Sequence, residues 1–346
     1  MLHNALITHG GGLVDPSKHV LMRLGENLSK TKLFDKIYIG QYSFESFYTP
    51  EFMREYNCLL QEEVKDKRGT IFGTCRGVNL SEPVLLSIAI KCLKENNIKT
   101  IIIAGGDGSS RQVAEISDAL KLNGINIIFA IPLTIDGING GESIGITQAV
   151  RESIRQIENI VSTSLETRDN GKFGVVTAEL QGRNRDDIMA QVLLSFIKNK
   201  KVGDIPLSDL LLRVLPANIE FDKQKLIDEV NATQSKTLIL LSEGANIDYS
   251  EFTSKINRKV RSLIVGHPSQ SNNMTTESDV IEYNVWIDKV SDHIASNINN
   301  SYCLVKYHDE IWEAPIDYYA INNPKEAQTP EIDTFTNYWL KMYMAN

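Results

Sequence analysis

One short segment combines glycines, serines and a carboxylate between two regular patterns. Lys99–Ala104 contains an uninterrupted apolar run of strand length, Gly105–Ser110 (GGDGSS) follows it, and a helical pattern continues to about Leu120. Glycine lets backbone N–H groups approach an anion closely, and the start of a helix adds a partial positive charge. The segment is therefore typical of a phosphate-binding loop. The alternative is a tight turn in which Asp107 and Ser109 cap the helix.

The carboxylate of Asp107 is the unexpected member of this loop, because a negative side chain repels a phosphate. A bridging Mg²⁺ ion would remove the conflict, since hard oxygen ligands suit this metal. The loop therefore predicts a polyphosphate that binds together with Mg²⁺, with Asp107 as the metal ligand.

The first strand pattern, Ala5–Thr8, also ends in glycines. The segment Thr8–Gly12 (THGGG) is predicted to supply a second set of backbone donors for the same phosphates. The alternative is a flexible turn between a strand and a helix. His9 within it is either a phosphate donor or an exposed loop residue.

A second carboxylate follows the next strand along the chain. The run Ile125–Ile131 is typical of a buried strand, and Asp136 comes directly after it. The carboxyl ends of parallel strands line the ligand crevice, so Asp136 is expected on the same rim as Asp107. A carboxylate there can accept the proton of an attacking hydroxyl group, and Thr134 can hydrogen-bond the acceptor. The alternative is an Asx turn before a glycine-rich loop.

The composition fits a globular protein that binds small anions by local features. The chain has 346 residues, of which 42% are hydrophobic, and 36 Lys and Arg against 44 Asp and Glu give a net charge of −8. Such an acidic chain is a poor binder of nucleic acid or anionic membrane. The four cysteines lack CxxC spacing, and the first residues show no basic region or cleavage site, so a cytoplasmic location is expected.

Short apolar runs alternate with helical patterns along the chain. Strands are predicted at Ala5–Thr8, Lys36–Gly40, Lys99–Ala104, Ile125–Ile131, Phe173–Ala178 and Lys236–Leu241. Helices are predicted from about Ser17 to Leu28 and from an N-cap at Ser81 to about Glu95. This alternation predicts an α/β fold of two three-layer domains with mainly parallel sheets and helices on both faces.

The ordered set of motifs resembles the 6-phosphofructokinase family from about Ala5 to about Ile321. The matching segments are Gly105–Ser109 (GGDGS), Pro132–Asp136 (PxTID), Gly182–Arg183 (GR), Glu243–Ala245 (EGA), Gly266–His267 (GH), Thr8–Gly12 for TSGGD, Phe72–Arg76 for LGTSR, and Thr275–Asp279 for part of PTPFDR. The family's ATP users carry glycine after GGD, as Gly108 does here, whereas its pyrophosphate users usually carry aspartate. Leu133 matches neither type.

The resemblance implies a role for each matching residue. Asp136, Arg76 and Thr134 are expected to be catalytic, and Asp107 to hold Mg²⁺. Arg76 suits its role independently, because a planar cation stabilises charge on a transferring phosphoryl group, although a surface arginine in a turn is the alternative. The residues expected to bind nucleotide are Gly10, Gly11, Gly105, Gly106, Asp107, Gly108 and Ser109. Those expected to bind the acceptor sugar phosphate are Arg183, Glu243, Arg261 and His267.

Several departures from the family fall in the acceptor site. Ile138 replaces the family's second aspartate in TIDND, Gln270 replaces a phosphate-binding arginine, and Gly174 replaces another. Each lost charge-assisted hydrogen bond weakens binding of a phosphate by about 1.5–3 kcal/mol. Other departures lie at Gly12, Ser81, Arg111, Gln112 and Gln181.

Three hypotheses remain open at this point. The first is a divergent ATP-dependent phosphofructokinase, the second a kinase for another sugar phosphate, and the third a catalytically weak or inactive regulatory or binding protein. By the resemblance, residues 1–147 with 274–321 form the nucleotide-binding domain. Residues 148–273 with 322–346 then form the sugar-phosphate-binding domain. The active site is expected between the domains, and a homo-oligomer, dimer or tetramer, is expected in which Arg261 reaches a neighbouring subunit.

Overall fold

The structure is a computed structural model that describes residues 2–10, 14–65, 67, 71–135, 142–169, 171–182, 186–217, 220–245, 247–266, 276–307, 310–322 and 343. Within this part, no helix is long and apolar enough to cross a membrane.

The strands, in chain order, are β1 (His3–His9), β2 (Phe34–Gly40), β3 (Met53–Glu55), β4 (Ile98–Gly105), β5 (Asn126–Pro132), β6 (Arg168–Asp169), β7 (Lys172–Phe173), β8 (Val175–Leu180), β9 (Lys201–Val202), β10 (Ile205–Pro206), β11 (Leu210–Leu215), β12 (Lys236–Ser242), β13 (Val260–Val265), β14 (Tyr302–Tyr307) and β15 (Glu310–Ala314). The α-helices are α1 (Val14–Lys30), α2 (Cys58–Lys65), α3 (Pro83–Glu95), α4 (Asp107–Leu122), α5 (Ile146–Ser164), α6 (Asp186–Asn199), α7 (Lys223–Ala232), α8 (Tyr249–Ser254), α9 (Glu277–Ser296) and α10 (Tyr318–Asn322).

The chain divides into two compact units. Unit 1 comprises Met1–Ile146 and Gln270–Ala327, and unit 2 comprises Thr147–Ser269 and Gln328–Asn346. Each unit is built around its own sheet, and each is described by itself below.

Unit 1 contains a seven-stranded sheet in the order β15-β14-β5-β4-β1-β2-β3. The pairs between β14 and β2 are all parallel, whereas β15 and β3 add an antiparallel strand at either side. Parallel strands that are covered on both faces read as continuous apolar runs, which is why Ile101–Ala104 lacks alternation. The predicted α/β fold with mainly parallel sheets is confirmed.

Helices cover both faces of the unit 1 sheet. Side chains at alternate positions of a strand point to opposite faces. Ile102 and Ala104 pack in the cluster that includes the buried residues of α1 and α9. Ile101 and Ile103 pack in the cluster that includes the buried residues of α3 and α4. The result is a three-layer unit whose sheet lies between helices.

Unit 2 contains a four-stranded sheet in the order β11-β12-β8-β13, and all three pairs are parallel. The apolar side chains of α7 and α8 pack on one face, with Ile239 and Leu241 of the central strand β12. Helix α6 also contacts β12. The short hairpins β6–β7 and β9–β10 lie outside this sheet.

A buried arginine links several segments at the amino end of the unit 2 sheet by hydrogen bonds. The guanidinium group of Arg258 donates to backbone carbonyl oxygens in three segments, at Phe173 (2.7 Å), Val230 (3.1 Å) and Ser235. It also donates to Thr237 Oγ1 at 3.0 Å. Burial lowers the pKa of Arg258 from its usual value, but the many acceptors hold the charge in place.

Two predicted boundaries are wrong. Helix α3 begins at Pro83 with Glu82 as its N-cap, not Ser81. The residue before proline is forced into an extended conformation, which is the conformation an N-cap needs, and the Ser81 hydroxyl donates to Glu115 instead. The strand predicted from Phe173 begins at Val175, because Phe173 pairs with Arg168 in the hairpin β6–β7.

Candidate active site

The glycine-rich loop connects the end of β4 to the start of α4. Gly106 is the N-cap in an extended conformation, no side chain caps the helix, and Ser110 N donates to Gly106 O at 3.1 Å. The capping interpretation of Asp107 and Ser109 is therefore wrong. The first N–H groups of a helix have no acceptor within the helix, so those of Asp107 and Gly108 can serve an anion.

The turn after β1 packs directly against this loop. Gly10 N donates to Ala104 O at 2.9 Å. A Cβ atom placed on Gly10 would lie 1.6 Å from Ser109 Oγ, and one on Gly105 would lie 2.8 Å from the same atom. Only glycine fits at position 10 beside this serine. The turn and the loop thus meet, while Gly11 lies outside the described residues.

His9, at the end of β1, is neither exposed nor charged at neutral pH. Its side chain is 1% exposed and lies beside the backbone of Gly10 and Gly73. Burial lowers the pKa of the imidazole to about 4. A neutral imidazole supplies no positive charge to a phosphate, so a charged phosphate contact by His9 is excluded at neutral pH.

One cavity of about 350 Å³ collects most of the predicted residues of unit 1 that the structure describes. Its lining residues are Ser43, Phe44, Cys75, Arg76, Gly77, Val78, Gly106, Asp107, Gly108, Ser109, Gln112 and Thr134. The structure therefore brings Arg76, 30 positions before Gly106, and Thr134, 25 positions after Ser109, to the phosphate-binding loop.

The segment that carries Arg76 is fixed by hydrogen bonds on both sides. Phe72 O accepts from Tyr42 N at 2.7 Å, and Val78 O accepts from Gln112 Nε2 on α4 at 2.8 Å. Gly73 and Gly77 both have positive φ angles, of 67° and 82°, which only glycine adopts easily. Arg76 itself is exposed at the cavity.

Thr134 lies next to the loop from the neighbouring strand. Leu133 N donates to Gly105 O at 2.8 Å, and a Cβ atom on Gly106 would lie 3.5 Å from Thr134 Cβ. Thr134 is 7% exposed. The chain returns at Ser143, whose hydroxyl donates to Thr134 O at 3.2 Å. Asp136, the predicted base, lies outside the described residues.

Asp107 is the carboxylate that lines this cavity, and it is ion-paired with Arg111 of the same helix. Among the described residues, no three His, Cys, Asp or Glu side chains are grouped so that they could hold a metal ion. Mg²⁺ commonly binds through one or two carboxylates, with phosphates and water as the other ligands. A single half-exposed carboxylate beside the first N–H groups of a helix fits that pattern. Asp107 would hold Mg²⁺ together with a polyphosphate.

In unit 2, Glu243 lies at the carboxyl end of the sheet, where acceptor contacts are predicted. Gly182 N donates to Glu243 Oε2 at 2.9 Å, and Glu243 N donates to Leu180 O at 2.9 Å. These bonds join the ends of β8 and β12. Two other predicted contacts, Arg183 and His267, lie outside the described residues.

Arg261 does not lie with Glu243. In the sheet register Arg261 pairs with Val176, whereas Ser242, the residue before Glu243, pairs with Leu180. Four residues of strand correspond to about 13 Å. Arg261 is exposed near the amino end of β13, so within unit 2 it lies at the opposite end of the sheet from Glu243.

Two further carboxylates at the carboxyl end of the unit 2 sheet were missed in the sequence. Asp186 is 1% exposed and accepts from Ser242 Oγ at 2.6 Å and from Ala217 N at 2.8 Å. Glu179 has a raised pKa, first because it is partly buried and second because Glu243 is nearby. A charged residue within the apolar run of β8 was the available signal for Glu179.

The fold and the cavity define an α/β protein with a glycine-rich phosphate-binding loop. A family model described as phosphofructokinase matches residues 27–285, well over half of the chain. The chain belongs to the phosphofructokinase family.

Relatives and solved structures agree with this assignment. The chain is 28% identical over 170 residues to the ATP-dependent 6-phosphofructokinase of Buchnera aphidicola subsp. Baizongia pistaciae, covering 49% of this chain and 46% of that one. It is 23% identical over 273 residues to the enzyme of the same name from Hamiltonella defensa, covering 76% and 75%. It is 25% identical over 245 residues to the ATP-dependent 6-phosphofructokinase of Trypanoplasma borreli, covering 70% of this chain and 44% of that one. The matches thus span somewhat under half of the length of two of these relatives.

The solved structures share the fold. The pyrophosphate-dependent phosphofructokinase of Nitrosospira multiformis superposes with a TM-score of 0.74 at 16% identity, covering 99% of this chain and 92% of that one. That of Marinobacter aquaeolei gives 0.72 at 15% identity, covering 100% and 92%. At such identities the likeness concerns the fold alone.

Proposed function

We propose that this protein transfers the terminal phosphoryl group of ATP to a sugar phosphate, fructose 6-phosphate or a related acceptor. The cavity that combines Arg76, Thr134 and the loop Gly106–Ser109 is the observation that carries this proposal. The ATP-dependent relatives and Gly108 support ATP as the donor. We propose a cytoplasmic location on the basis of the amino-acid composition.

On the donor side, the backbone N–H groups at the start of α4 bind the phosphates. Arg76 offsets the charge that develops on the transferring group, and its exposed position leaves it able to reach a ligand in the cavity. Mg²⁺, held through Asp107, supplies further positive charge when bound. These groups position the polyphosphate and neutralise its charge, and phosphoryl transfer requires little else of a protein.

On the acceptor side, Asp136 accepts the proton of the attacking hydroxyl group. The hydroxyl oxygen forms the new bond to phosphorus, and the bond between that phosphorus and the leaving ADP breaks. Thr134 hydrogen-bonds the acceptor. Arg183, Glu243 and His267 are proposed to bind the sugar phosphate.

The position of Arg261 supports a homo-oligomer, dimer or tetramer. Because this residue lies about 13 Å along the sheet from Glu243 in its own unit, its proposed contact with sugar phosphate is more easily met at the site of a second copy. We further propose that unit 1 is the nucleotide-binding domain and unit 2 the sugar-phosphate-binding domain.

A catalytically weak or inactive binding protein is the second candidate. It is favoured by Gly174, where the family carries an arginine and where a Cβ atom would lie only 3.2 Å from Ser164 O. The backbone there leaves little room for a long cationic side chain. Two fewer arginines would weaken acceptor binding more than donor binding.

A coupled kinase assay with ATP or pyrophosphate and a panel of sugar phosphates tests both candidates. We expect turnover of at least one acceptor with ATP, and loss of turnover in Asp136→Asn with nucleotide binding preserved. Asp118→Asn, an exposed carboxylate on α4, is the control and should keep full turnover. Unchanged turnover in Asp136→Asn would refute the base assignment. Nucleotide binding without turnover of any acceptor would favour the binding protein.

A further inference from the structure

The proposed metal ligand already has a cationic partner within its own helix. Arg111 Nη2 lies 2.7 Å from Asp107 Oδ2, one helical turn further along α4. The arginine side chain is 23% exposed and the aspartate side chain 48% exposed, so both remain in contact with solvent. Spacing of four residues places the two side chains on the same side of the helix.

This pair changes the charge that an incoming phosphate meets. A bare carboxylate at the loop repels a polyphosphate, whereas a carboxylate paired with guanidinium is nearly neutral. The partial positive charge at the start of α4 then acts on the anion without opposition. The loop is thus prepared for an anion before any metal arrives.

A metal ion on Asp107 would compete directly with the guanidinium group. Both are cations that bind the same carboxylate oxygens, and a divalent ion attracts them more strongly than a monovalent group does. Once displaced, Arg111 stays anchored on α4 beside the phosphate-binding N–H groups. A planar guanidinium group is well suited to bind a phosphate oxygen.

We propose that Arg111 is an exchangeable counter-ion that determines how strongly donor binding depends on metal. Without metal it neutralises Asp107, and with metal it is released to bind the polyphosphate. The proposal rests on the proposed function only in placing the donor phosphates at the loop. It adds a specificity-determining residue that the family motifs do not include.

Replacement of Arg111 should leave the loop intact. The loop is held by Ser110 Oγ, which donates to Asp107 O at 2.8 Å, and by Gln112 Nε2, which donates to Val78 O. Neither bond involves the guanidinium group. An ion pair this exposed contributes little to folding, so Arg111→Gln is expected to fold normally.

Calorimetric titration of the full chain with ATP, in MgCl₂ and separately in EDTA, tests the proposal. In Arg111→Gln we expect metal-free ATP to bind about fivefold to tenfold more weakly than in the wild type. The Mg²⁺ concentration that gives half-maximal ATP binding should fall, because Asp107 is no longer occupied. Lys121→Gln removes one positive charge from the last turn of the same helix and should change neither quantity.

A double-variant cycle separates this role from an ordinary phosphate contact. In the Asp107→Asn background, Arg111→Gln should no longer change the metal dependence of binding. Equal losses of affinity with and without Mg²⁺ on replacing Arg111 in the wild-type background would overturn the exchange, and so would a change in metal dependence that persists in the Asp107→Asn background. The calorimetric titrations contain no sugar phosphate, so they test the role of Arg111 independently of the kinase reaction. A wild type that binds ATP as expected here but phosphorylates no acceptor in the kinase assay would refute the kinase proposal alone.

Discussion

The carboxyl ends of the two sheets are built by different means. In unit 1, the donor edge (Gly10, Gly105–Ser109 and Thr134) consists mainly of glycines and backbone groups in close contact. In unit 2, the acceptor edge (Leu180–Gly182, Asp186 and Ser242–Glu243) consists of carboxylates joined to backbone and hydroxyl donors. Binding at the donor edge depends on how closely a ligand can approach the main chain. Binding at the acceptor edge depends on the positions of fixed side-chain charges.

This difference bears on which part of the family pattern the sequence keeps. Backbone donors bind any phosphate and need glycine rather than a particular charge, so the loop GGDGS can persist while substrates change. The replacements at Gly174 and Gln270 remove side-chain charges instead, and Gly174 lies at the amino end of β8, the end opposite to the acceptor edge. We infer that the phosphate-binding role of this loop is shared with the family.

The largest expected effect lies at the acceptor edge. Asp186→Ala leaves the Ser242 hydroxyl and the Ala217 N–H without this buried acceptor. Each orphaned donor costs about 1–3 kcal/mol, so the free energy of unfolding should fall by about 4 kcal/mol. Urea denaturation measures it. Ser242→Ala removes one donor and should cost only about 1 kcal/mol; equal losses in the two variants would argue against Asp186 as the centre of the network.

At the donor edge, His9 should make stability depend on pH. The unfolded imidazole titrates near 6.5 and the folded one near 4, so the unfolded chain binds more protons between these values. The contribution is complete above pH 6.5 and is lost as pH falls towards 4, by about 3 kcal/mol.

Comparing the free energy of unfolding of the wild type and His9→Gln from pH 4 to pH 7 isolates the contribution of His9. The variant should lose less stability on acidification. A His9→Gln curve parallel to that of the wild type would show that the buried imidazole does not titrate in this way.

A methyl group at position 10 should disturb the donor edge alone. In Gly10→Ala the new Cβ would overlap Ser109 Oγ, and relief of the overlap should cost about 2 kcal/mol of stability and weaken ATP binding. Adding Ser109→Gly removes the overlapping atoms and should restore much of the stability. If the double variant is no more stable than Gly10→Ala, the contact is not the cause.

The smallest effect is expected at Glu179, which directly precedes Leu180 of the acceptor edge. A raised carboxyl pKa means that stability is highest below the unfolded pKa of 4.5 and is lost as pH rises through the folded pKa. Glu179→Gln should therefore raise the free energy of unfolding at pH 7 by about 0.5 kcal/mol or less, because water screens this partly exposed group. The gain should vanish below pH 4.5. Glu220→Gln, on an exposed carboxylate of the same unit, should give no gain at pH 7.

The donor edge was largely predictable because its signals are local. An apolar run without alternation, a glycine-rich turn and a helical pattern follow one another in Ile101–Leu120, and the structure has β4, the loop and α4 in that order. The pairing of Asp107 with Arg111 also follows from spacing of four residues in a helix.

Contacts between distant segments could not be predicted in the same way. Gly10 meets Ser109 only because β1 and β4 are neighbours in the sheet, and Asp186 meets Ser242 across 56 residues. The orientation of Arg261 depends on the register of β13, whose mixed sequence VRSLIV gave no strand signal. Such contacts are fixed by topology, which propensity and periodicity do not specify.

The buried Arg258 has a consequence for the order in which unit 2 is made. The carbonyl oxygens that it serves belong to residues 173–235, all of which leave the ribosome before residue 258 does. Until then these acceptors lack their donor, and a nascent chain that stops short of β13 cannot close the amino end of the sheet. Unit 2 should accordingly complete its folding late in synthesis, when most of its strands have already been synthesised.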